Sequence, residues 1–361
     1  MNRIYNFSAG PAILPIEVLE EASKGILEIN GSGMSILEVS HRGKDYEAIH
    51  IDTRERLLRV LGLSSDEYTA LFLGGGASTQ FAMLPMNFLQ SHQSADYINT
   101  GEWAVKAIKE AKRFGTVNVA ASSEDKKFAY IPKSFTLDPK AQFVHITTNN
   151  TIEGTEWPEF PATPNTPLIA DASSDIFARN LDYSRFDLIY AGAQKNAGPA
   201  GVTLVILRKS LLETAKEDIP TIFSYKTHAK ADSLYNTPPA FAVYIVGLVL
   251  KWIEGQGGLE VVESRNREKA ALIYDALDAL PEVYEPAVTD KADRSLMNVT
   301  FRLRDNDLEK EFLAGAQERK MDGLKGHRNV GGIRASIYNA FPLKGCQALS
   351  EYLQLFATAH K

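Results

Sequence analysis

Lys195 is the residue whose neighbours best equip it for chemistry. It lies in Phe186 to Arg208, FDLIYAGAQKNAGPAGVTLVILR, between Gln194 and Asn196. Two apolar, β-branched runs at 186–191 and 202–207 flank a small polar bend and read as buried strands. A lysine at the mouth of two buried strands is poorly hydrated. Desolvation lowers the pKa of its amine and makes it a better nucleophile, as a Schiff base requires. The competing reading is a turn lysine pointing into solvent. Upstream, Thr166 to Asp171 (TPLIAD) is another apolar run that ends in an aspartate, followed by Ala172, Ser173 and Ser174. Ligands gather beyond the carboxyl ends of strands in open α/β sheets. An aspartate at one strand end and a lysine at a later one suit pyridoxal phosphate: the acid pairs with the protonated ring nitrogen and the amine forms the covalent link. A capping role for Asp171 is the alternative.

Three further groups of residues point to anions and flat rings. Tyr68 to Leu73 reads as a strand that runs into Gly74-Gly75-Gly76-Ala77-Ser78-Thr79, with a helix expected over 79–90. Strand, glycine bend, helix start is an anion-binding geometry, because backbone N–H groups face the ligand at the positive end of the helix. A tight turn without a ligand is the alternative. Thr79 stands where a dinucleotide fingerprint needs glycine, and no P-loop pattern occurs. Trp103, after Thr100-Gly101-Glu102, either stacks on a flat ring or fills core. His41-Arg42 and His327-Arg328, with Arg334 behind Gly331-Gly332, are Gly-flanked basic groups. Guanidinium forks of this kind bind carboxylate and phosphate in bidentate fashion, and the alternative for each is a solvated or fold-holding charge.

Strands alternating with helices are needed to place these residues, and they predict an α/β fold with a largely parallel sheet. Helices are expected at 16–30, 45–61, 209–215, 240–254, 259–279, 307–319 and 344–359, with an extended stretch at Ser35 to Val39. Val18, Leu19, Ala22, Ile26 and Leu27 form the expected buried face of the first helix. Gly255-Gln256-Gly257-Gly258 is the best hinge. The 361 residues suffice for a large domain, 16–258, and a small α+β domain made of 1–15 and 259–361. A net charge of −6 argues against a general nucleic-acid surface. The single cysteine, Cys346, forbids an intrachain disulfide and fits a reducing compartment. With no signal peptide or membrane span legible, the cytoplasm is the expected location.

Taken together, NFSAGPAILP at 6–15, EVSHRGK at 38–44, GGGASTQF at 74–81, YAGAQKNAGPAG at 190–201, YNTPP at 235–239 and LKGHRNVGGIRASIYNA at 324–340 resemble the phosphoserine aminotransferase family. These are class V, fold-type I pyridoxal-phosphate enzymes, and the resemblance covers nearly the whole chain. It implies a fold-type I transferase, a homodimer with active sites at the interface, and transfer of the amino group of L-glutamate to 3-phosphohydroxypyruvate in serine biosynthesis. A side role on a phosphorylated hydroxy-oxo-butanoate in pyridoxine biosynthesis is also implied; no metal is. Lys195 would be the Schiff-base lysine and proton shuttle, Asp171 the partner of the pyridinium nitrogen, and Trp103 the ring-stacking residue. The amides of Gly76 and Ala77, with Thr151 and Gln194, would hold the cofactor's phosphate and phenolic edge, and Asn236 and Thr237 would reach the phosphate from the partner subunit. Arg334 would pair the substrate α-carboxylate. His41, Arg42, His327 and Arg328 would surround the substrate's phosphate or glutamate's distal carboxylate. The chain departs from some members in having Ala77 where they have Arg and Ala9 where they have Ser, losing an anion contact at each place. The rival readings are another class V chemistry, alanine–glyoxylate transamination or cysteine desulfuration, and a non-catalytic phosphometabolite-binding protein.

Overall fold

The computed structural model describes residues 3–328 and 330–360. Asn329, inside the 324–340 motif, and the terminal residues Met1, Asn2 and Lys361 lie outside the described residues. The strands are β1 (Tyr5–Asn6), β2 (Tyr68–Leu73), β3 (Ser94–Asn99), β4 (Thr116–Ser122), β5 (Ala141–Thr147), β6 (Leu168–Asp171), β7 (Leu188–Gly192), β8 (Thr203–Arg208), β9 (Tyr284–Pro286), β10 (Asn298–Leu303), β11 (Met321–Asp322) and β12 (Ile333–Ser336). The helices are α1 (Ile16–Leu27), α2 (Lys44–Val60), α3 (Gly76–Phe88), α4 (Glu102–Ala111), α5 (Lys209–Glu213), α6 (Tyr225–Lys230), α7 (Ala240–Gly255), α8 (Gly258–Asp278), α9 (Glu309–Glu318) and α10 (Leu343–Ala359).

A seven-stranded sheet runs β2-β8-β7-β6-β5-β3-β4, with β8 antiparallel to both its neighbours and the remaining pairs parallel. Its central strands are buried along nearly their whole length and mostly apolar, as strands covered on both faces are. One face packs under α1, α2 and α7, with Val18, Leu57, Val246 and Leu250 in a core shared with Phe72, Ile146 and Ile206. The other is covered by α3, α4, α5 and α6, through Phe81, Leu84, Ile108, Leu211 and Tyr225. A three-stranded sheet, β12-β10-β9, packs with α8, α9 and α10 around Phe301, Phe312, Leu349 and Leu353. The N-terminal strand β1 pairs in parallel with β11, which brings Phe7 and Ile13 into that second core.

Register sets the site. Leu73 and Gly192 both lie opposite Thr203, Asp171 lies opposite Tyr190, and Thr147 lies opposite Asp171. The carboxyl ends of β2, β5, β6 and β7 therefore share one edge of the sheet.

Three local expectations differ from the structure. Helix α3 begins at Gly76 rather than Thr79, because the glycines themselves make the first turn. Ser35 to Val39 is a turn, closed by the N–H groups of Glu38 and Val39 donating to the carbonyl of Ser35. Helix α1 buries Val18, Ala22 and Gly25, whereas Leu19, Ile26 and Leu27 are exposed. Its inner stripe follows the small residues, since Gly25 lies against the Tyr244 ring.

Candidate functional site

Lys195 sits in the turn between β7 and β8, at the shared carboxyl edge. Its half-buried side chain donates from Nζ to Thr151 Oγ1 at 2.7 Å and lies 5.2 Å from the centre of the Trp103 ring. Burial brings its amine down to about 8, against the opposing pull of the Asp171 charge; the Arg334 charge adds to the lowering. The reading of Lys195 as a solvent-pointing turn residue is thus set aside.

Asp171, the last residue of β6, is buried and opposes Tyr190 in the next strand. Its carboxylate accepts from the Ser173 hydroxyl at 2.6 Å and the Ser173 N–H at 3.0 Å, and the same hydroxyl accepts from the Gly192 N–H at 3.1 Å. Burial pushes the Asp171 carboxyl upward, while Lys195 and Ser173 pull it down. A cation meeting this acid, as a protonated ring nitrogen would, favours its charged form. Ser173 is the second residue after the strand-end acid, and nothing in the sequence marks its part in orienting that acid.

Trp103 is the second residue of α4, partly buried against the core that covers this face of the sheet. Its indole Nε1 is buried without an acceptor, and Arg334 Nε is buried without one too. Two orphaned donors near Lys195 and Thr151 fit a ligand that carries both acceptors and an aromatic ring. Arg334 projects from β12 and its Nη1 lies 3.5 Å from the Thr151 carbonyl, so the small sheet contributes to the same place. Burial lowers the Arg334 guanidinium. His327 is lowered by burial first and then by Arg334, Lys106 and Arg328, which leaves a neutral imidazole at pH 7.

Beyond β2, Gly75 (φ +91°) and Gly76 (φ +66°) turn the chain into α3. A Cβ on Gly75 would stand 1.9 Å from Thr79 Oγ1, so only glycine fits there. The amides of Gly76 and Ala77 open the first turn, where helix geometry leaves N–H groups without intrahelical acceptors. Gln194 is partly buried, and its carbonyl accepts from the Ala12 N–H at 2.9 Å. Gly10 lies against Lys195 and Gln194, within ordinary contact of the Lys195 stem for an added Cβ, at 3.4 Å. The N-terminal motif is legible in the sequence, but nothing in it says that its backbone closes over the lysine.

The structure thus brings together Trp103, Thr151, Asp171, Lys195 and Arg334. It does not join His41, Arg42, Asn236 or Thr237 to Lys195 by any hydrogen bond or ion pair among the described residues. His41 is partly buried with Nε2 unpartnered, and Arg42 is exposed. Asn236 and Thr237 are exposed, with Asn236 lining a cavity of about 240 Å³ beside Gly74, Gly75 and Thr79. Arg328 is exposed in the loop before β12.

Cys346, the thiol on which a desulfurase reading depends, is buried in the small core and pushed up to about 12 by that burial. It is inert as a nucleophile at neutral pH.

A class-V aminotransferase family model matches residues 4–349. The chain is 56% identical over 356 residues to a protein of Desulfosudis oleivorans named phosphoserine aminotransferase, covering 98% of each. A solved phosphoserine aminotransferase from Bacillus circulans subsp. alkalophilus superposes with a TM-score of 0.97 at 51% identity, covering 99% of both chains. A pyridoxal-phosphate-bound phosphoserine aminotransferase from Trichomonas vaginalis gives a TM-score of 0.92 at 38% identity, over 98% of this chain and 100% of that one. This chain belongs to the class-V aminotransferases, within the phosphoserine aminotransferase family.

Proposed function

We propose that this protein transfers the amino group of L-glutamate to 3-phosphohydroxypyruvate, giving O-phospho-L-serine and 2-oxoglutarate, with pyridoxal 5′-phosphate as cofactor. The observation that carries the reading is the Lys195 amine, lowered to about 8 by burial and facing Thr151, Asp171 and Trp103 at one strand edge. The cofactor, when bound, supplies an aldehyde that accepts the amino group and an electron-poor ring that delocalises charge from the substrate α-carbon.

The chain's own residues do the rest. Lys195 Nζ is the attachment point and, once released, the base that takes the proton from the substrate α-carbon and passes it on. A pKa near 8 leaves a usable fraction of the amine neutral at physiological pH. Asp171, held by Ser173, keeps a negative charge opposite the ring nitrogen. Trp103 covers a ring face. The Gly76 and Ala77 amides at the start of α3, with Thr151 and Gln194, hold the phosphate and the phenolic edge. Arg334 pairs with the substrate α-carboxylate. His41, Arg42, His327 and Arg328 receive the distal carboxylate of glutamate or the substrate phosphate in a shared site, with neutral His327 acting as a hydrogen-bond donor.

His41, Arg42, Asn236 and Thr237 make no hydrogen bond or ion pair with Lys195 among the described residues, which leaves room for a homodimer in which the partner subunit's Asn236 and the partner subunit's Thr237 complete the phosphate site. The exposed apolar side chains Leu19, Ile26, Leu27 and Leu37 also favour a buried surface between subunits. The separate cores favour a large domain, 16–258, and a small one formed by 1–15 with 259–361. No helix among the described residues is long and apolar enough to cross a membrane, and a cytoplasmic enzyme fits the proposed substrates.

Adding glutamate to the purified, cofactor-loaded protein should abolish its visible absorption band, and 3-phosphohydroxypyruvate should restore it. Phosphate-free hydroxypyruvate should restore it much more slowly. Equal rates with and without the phosphate would exclude the assigned substrate and leave a broader aminotransferase.

A further inference from the structure

Glu153 lies between the start of α4 and strand β10, close enough to Lys195 for their charges to interact, and the mechanism above gives it no part. Its side chain is buried, with 7% of its surface exposed. One carboxyl oxygen, Oε1, accepts from the N–H of Glu102, the first residue of α4, at 2.9 Å. The other, Oε2, has no partner. Asn150 is fully buried alongside, and its Nδ2 donates to Thr100 Oγ1 at 3.1 Å and to Thr155 Oγ1 at 3.0 Å. Asn150 Oδ1 has no donor either.

Both orphaned oxygens lie beside Gly101. A Cβ built on Gly101 would lie 2.6 Å from Asn150 Oδ1 and 2.8 Å from Glu153 Oε2. Gly101 has an extended φ of 170°, which any residue adopts, so it is the approach of these oxygens that excludes a side chain. Two buried acceptors beside one residue without a donor are costly, and one proton satisfies both.

We infer that Glu153 is a positioning residue: as a neutral acid it donates from Oε2 to Asn150 Oδ1 while Oε1 holds the Glu102 N–H, and this clamp fixes the start of α4, with Trp103, against the hydrogen-bonded Thr151 and Lys195. The inference rests on reading that cleft as the pyridoxal-phosphate site. Burial pushes the Glu153 carboxyl up to about 7, an effect strengthened by the Glu102 charge and opposed by the N–H groups of Glu102 and of Glu153 itself and by the Lys195 charge, which agrees with the neutral form. Glu102 of α4, Lys195 of the β7–β8 turn and Arg334 of β12 are the charged groups that act on it or respond to it. Keeping it neutral also spares Lys195 a second carboxylate beside Asp171, which would hold a proton on the amine.

Glutamine reproduces both hydrogen bonds of the neutral acid, with Nε2 in place of the protonated oxygen. Pyridoxal phosphate is titrated into cofactor-free wild-type, Glu153→Gln and Glu153→Ala proteins at several pH values, with tryptophan fluorescence as the readout. Glu153→Gln should bind within about threefold of wild type at pH 6.5, and Glu153→Ala roughly tenfold or more weakly, in line with the loss of a buried hydrogen-bond pair. As pH rises through 7 to 8, wild-type affinity should fall relative to Glu153→Gln, since only the wild type loses the shared proton. Both proteins retain Lys195, and Glu153→Gln also removes the carboxylate charge that raises its amine. A Glu153→Gln protein as impaired as Glu153→Ala, or one whose pH profile parallels wild type, overturns the inference. If the Glu153→Ala protein does not fold, the wild-type against Glu153→Gln comparison decides alone. A wild-type protein that binds no pyridoxal phosphate overturns the site reading itself, and the clamp with it.

Discussion

At the scale of single residues, one force moves two nitrogen bases in the same direction with different consequences. Desolvation lowers Lys195 to about 8 and His145 to about 3. For Lys195 the result is an amine that is partly neutral near pH 8. For His145, stacked on Tyr97 at 4.8 Å and 2.8 Å from the Tyr190 hydroxyl, it is a neutral ring locked between strands behind Asp171. In the unfolded chain His145 takes up a proton near pH 6.5, while the folded chain resists until about 3. Its contribution to stability is therefore complete above pH 6.5 and is lost as pH falls toward 3. Urea unfolding of wild type and His145→Phe between pH 7 and pH 4 should show wild type losing stability faster on acidification, by up to about 1.4 kcal/mol per pH unit. Parallel curves would mean that His145 is protonated in the folded protein.

At the scale of elements, the segment from Asn149 to Glu156 couples the two sheets. The Ser295 N–H donates to the Gly154 carbonyl at 2.9 Å, Thr300 Oγ1 donates to the Glu153 carbonyl at 2.8 Å, and Asn149 Nδ2 donates to Asn298 Oδ1 at 2.8 Å. Thr300 lies opposite Arg334 in the β10–β12 pair. One short segment thus holds Thr151 beside Lys195 and seats Arg334 above it. Gly154 has φ +85°, and an added Cβ would stand 2.3 Å from Thr300 Oγ1. Gly154→Ala should cost about 1–3 kcal/mol in denaturant unfolding, and the loosened seat of Arg334 should raise KM for glutamate. Unchanged stability and KM would show that this segment does not tie the sheets.

The strands around Lys195 and Asp171 were legible in the sequence because apolar β-branched runs bounded by small residues have few other uses. The edges of α3 and the inner face of α1 were not. Glycines at Gly75 and Gly76 look like a loop until their φ values are known, and Gly25 gives no hydrophobic signal though it packs on Tyr244. Glu153 and Ser173 act through partners distant in sequence or through a turn, so no periodicity marks them. Gly10 approaches Lys195 only because β1 pairs with β11 at the far end of the chain.

At the scale of the whole molecule, α8 links the two cores. Leu259 and Val262, in its first turns, belong to the large core, and Ile273 and Leu277 to the small one. A 21-residue helix of about 30 Å is a stiff strut between them. The proposed exchange of residues between subunits has a quantitative consequence. A Lys195→Ala subunit paired with an Asn236→Ala, Thr237→Ala subunit forms one doubly damaged site and one intact site. Random reassortment of the two inactive proteins should recover about a quarter of wild-type activity, as symmetric pairing of two chains requires. No recovery, with hybrids confirmed by native mass spectrometry, would place Asn236 and Thr237 in the same chain's site.

The most direct measurement is the chemical location of the cofactor. Borohydride reduction of the pyridoxal-phosphate-loaded protein, followed by peptide mapping, should find the pyridoxyl group on Lys195 and nowhere else. Attachment at another lysine, or no attachment at all, would contradict the account.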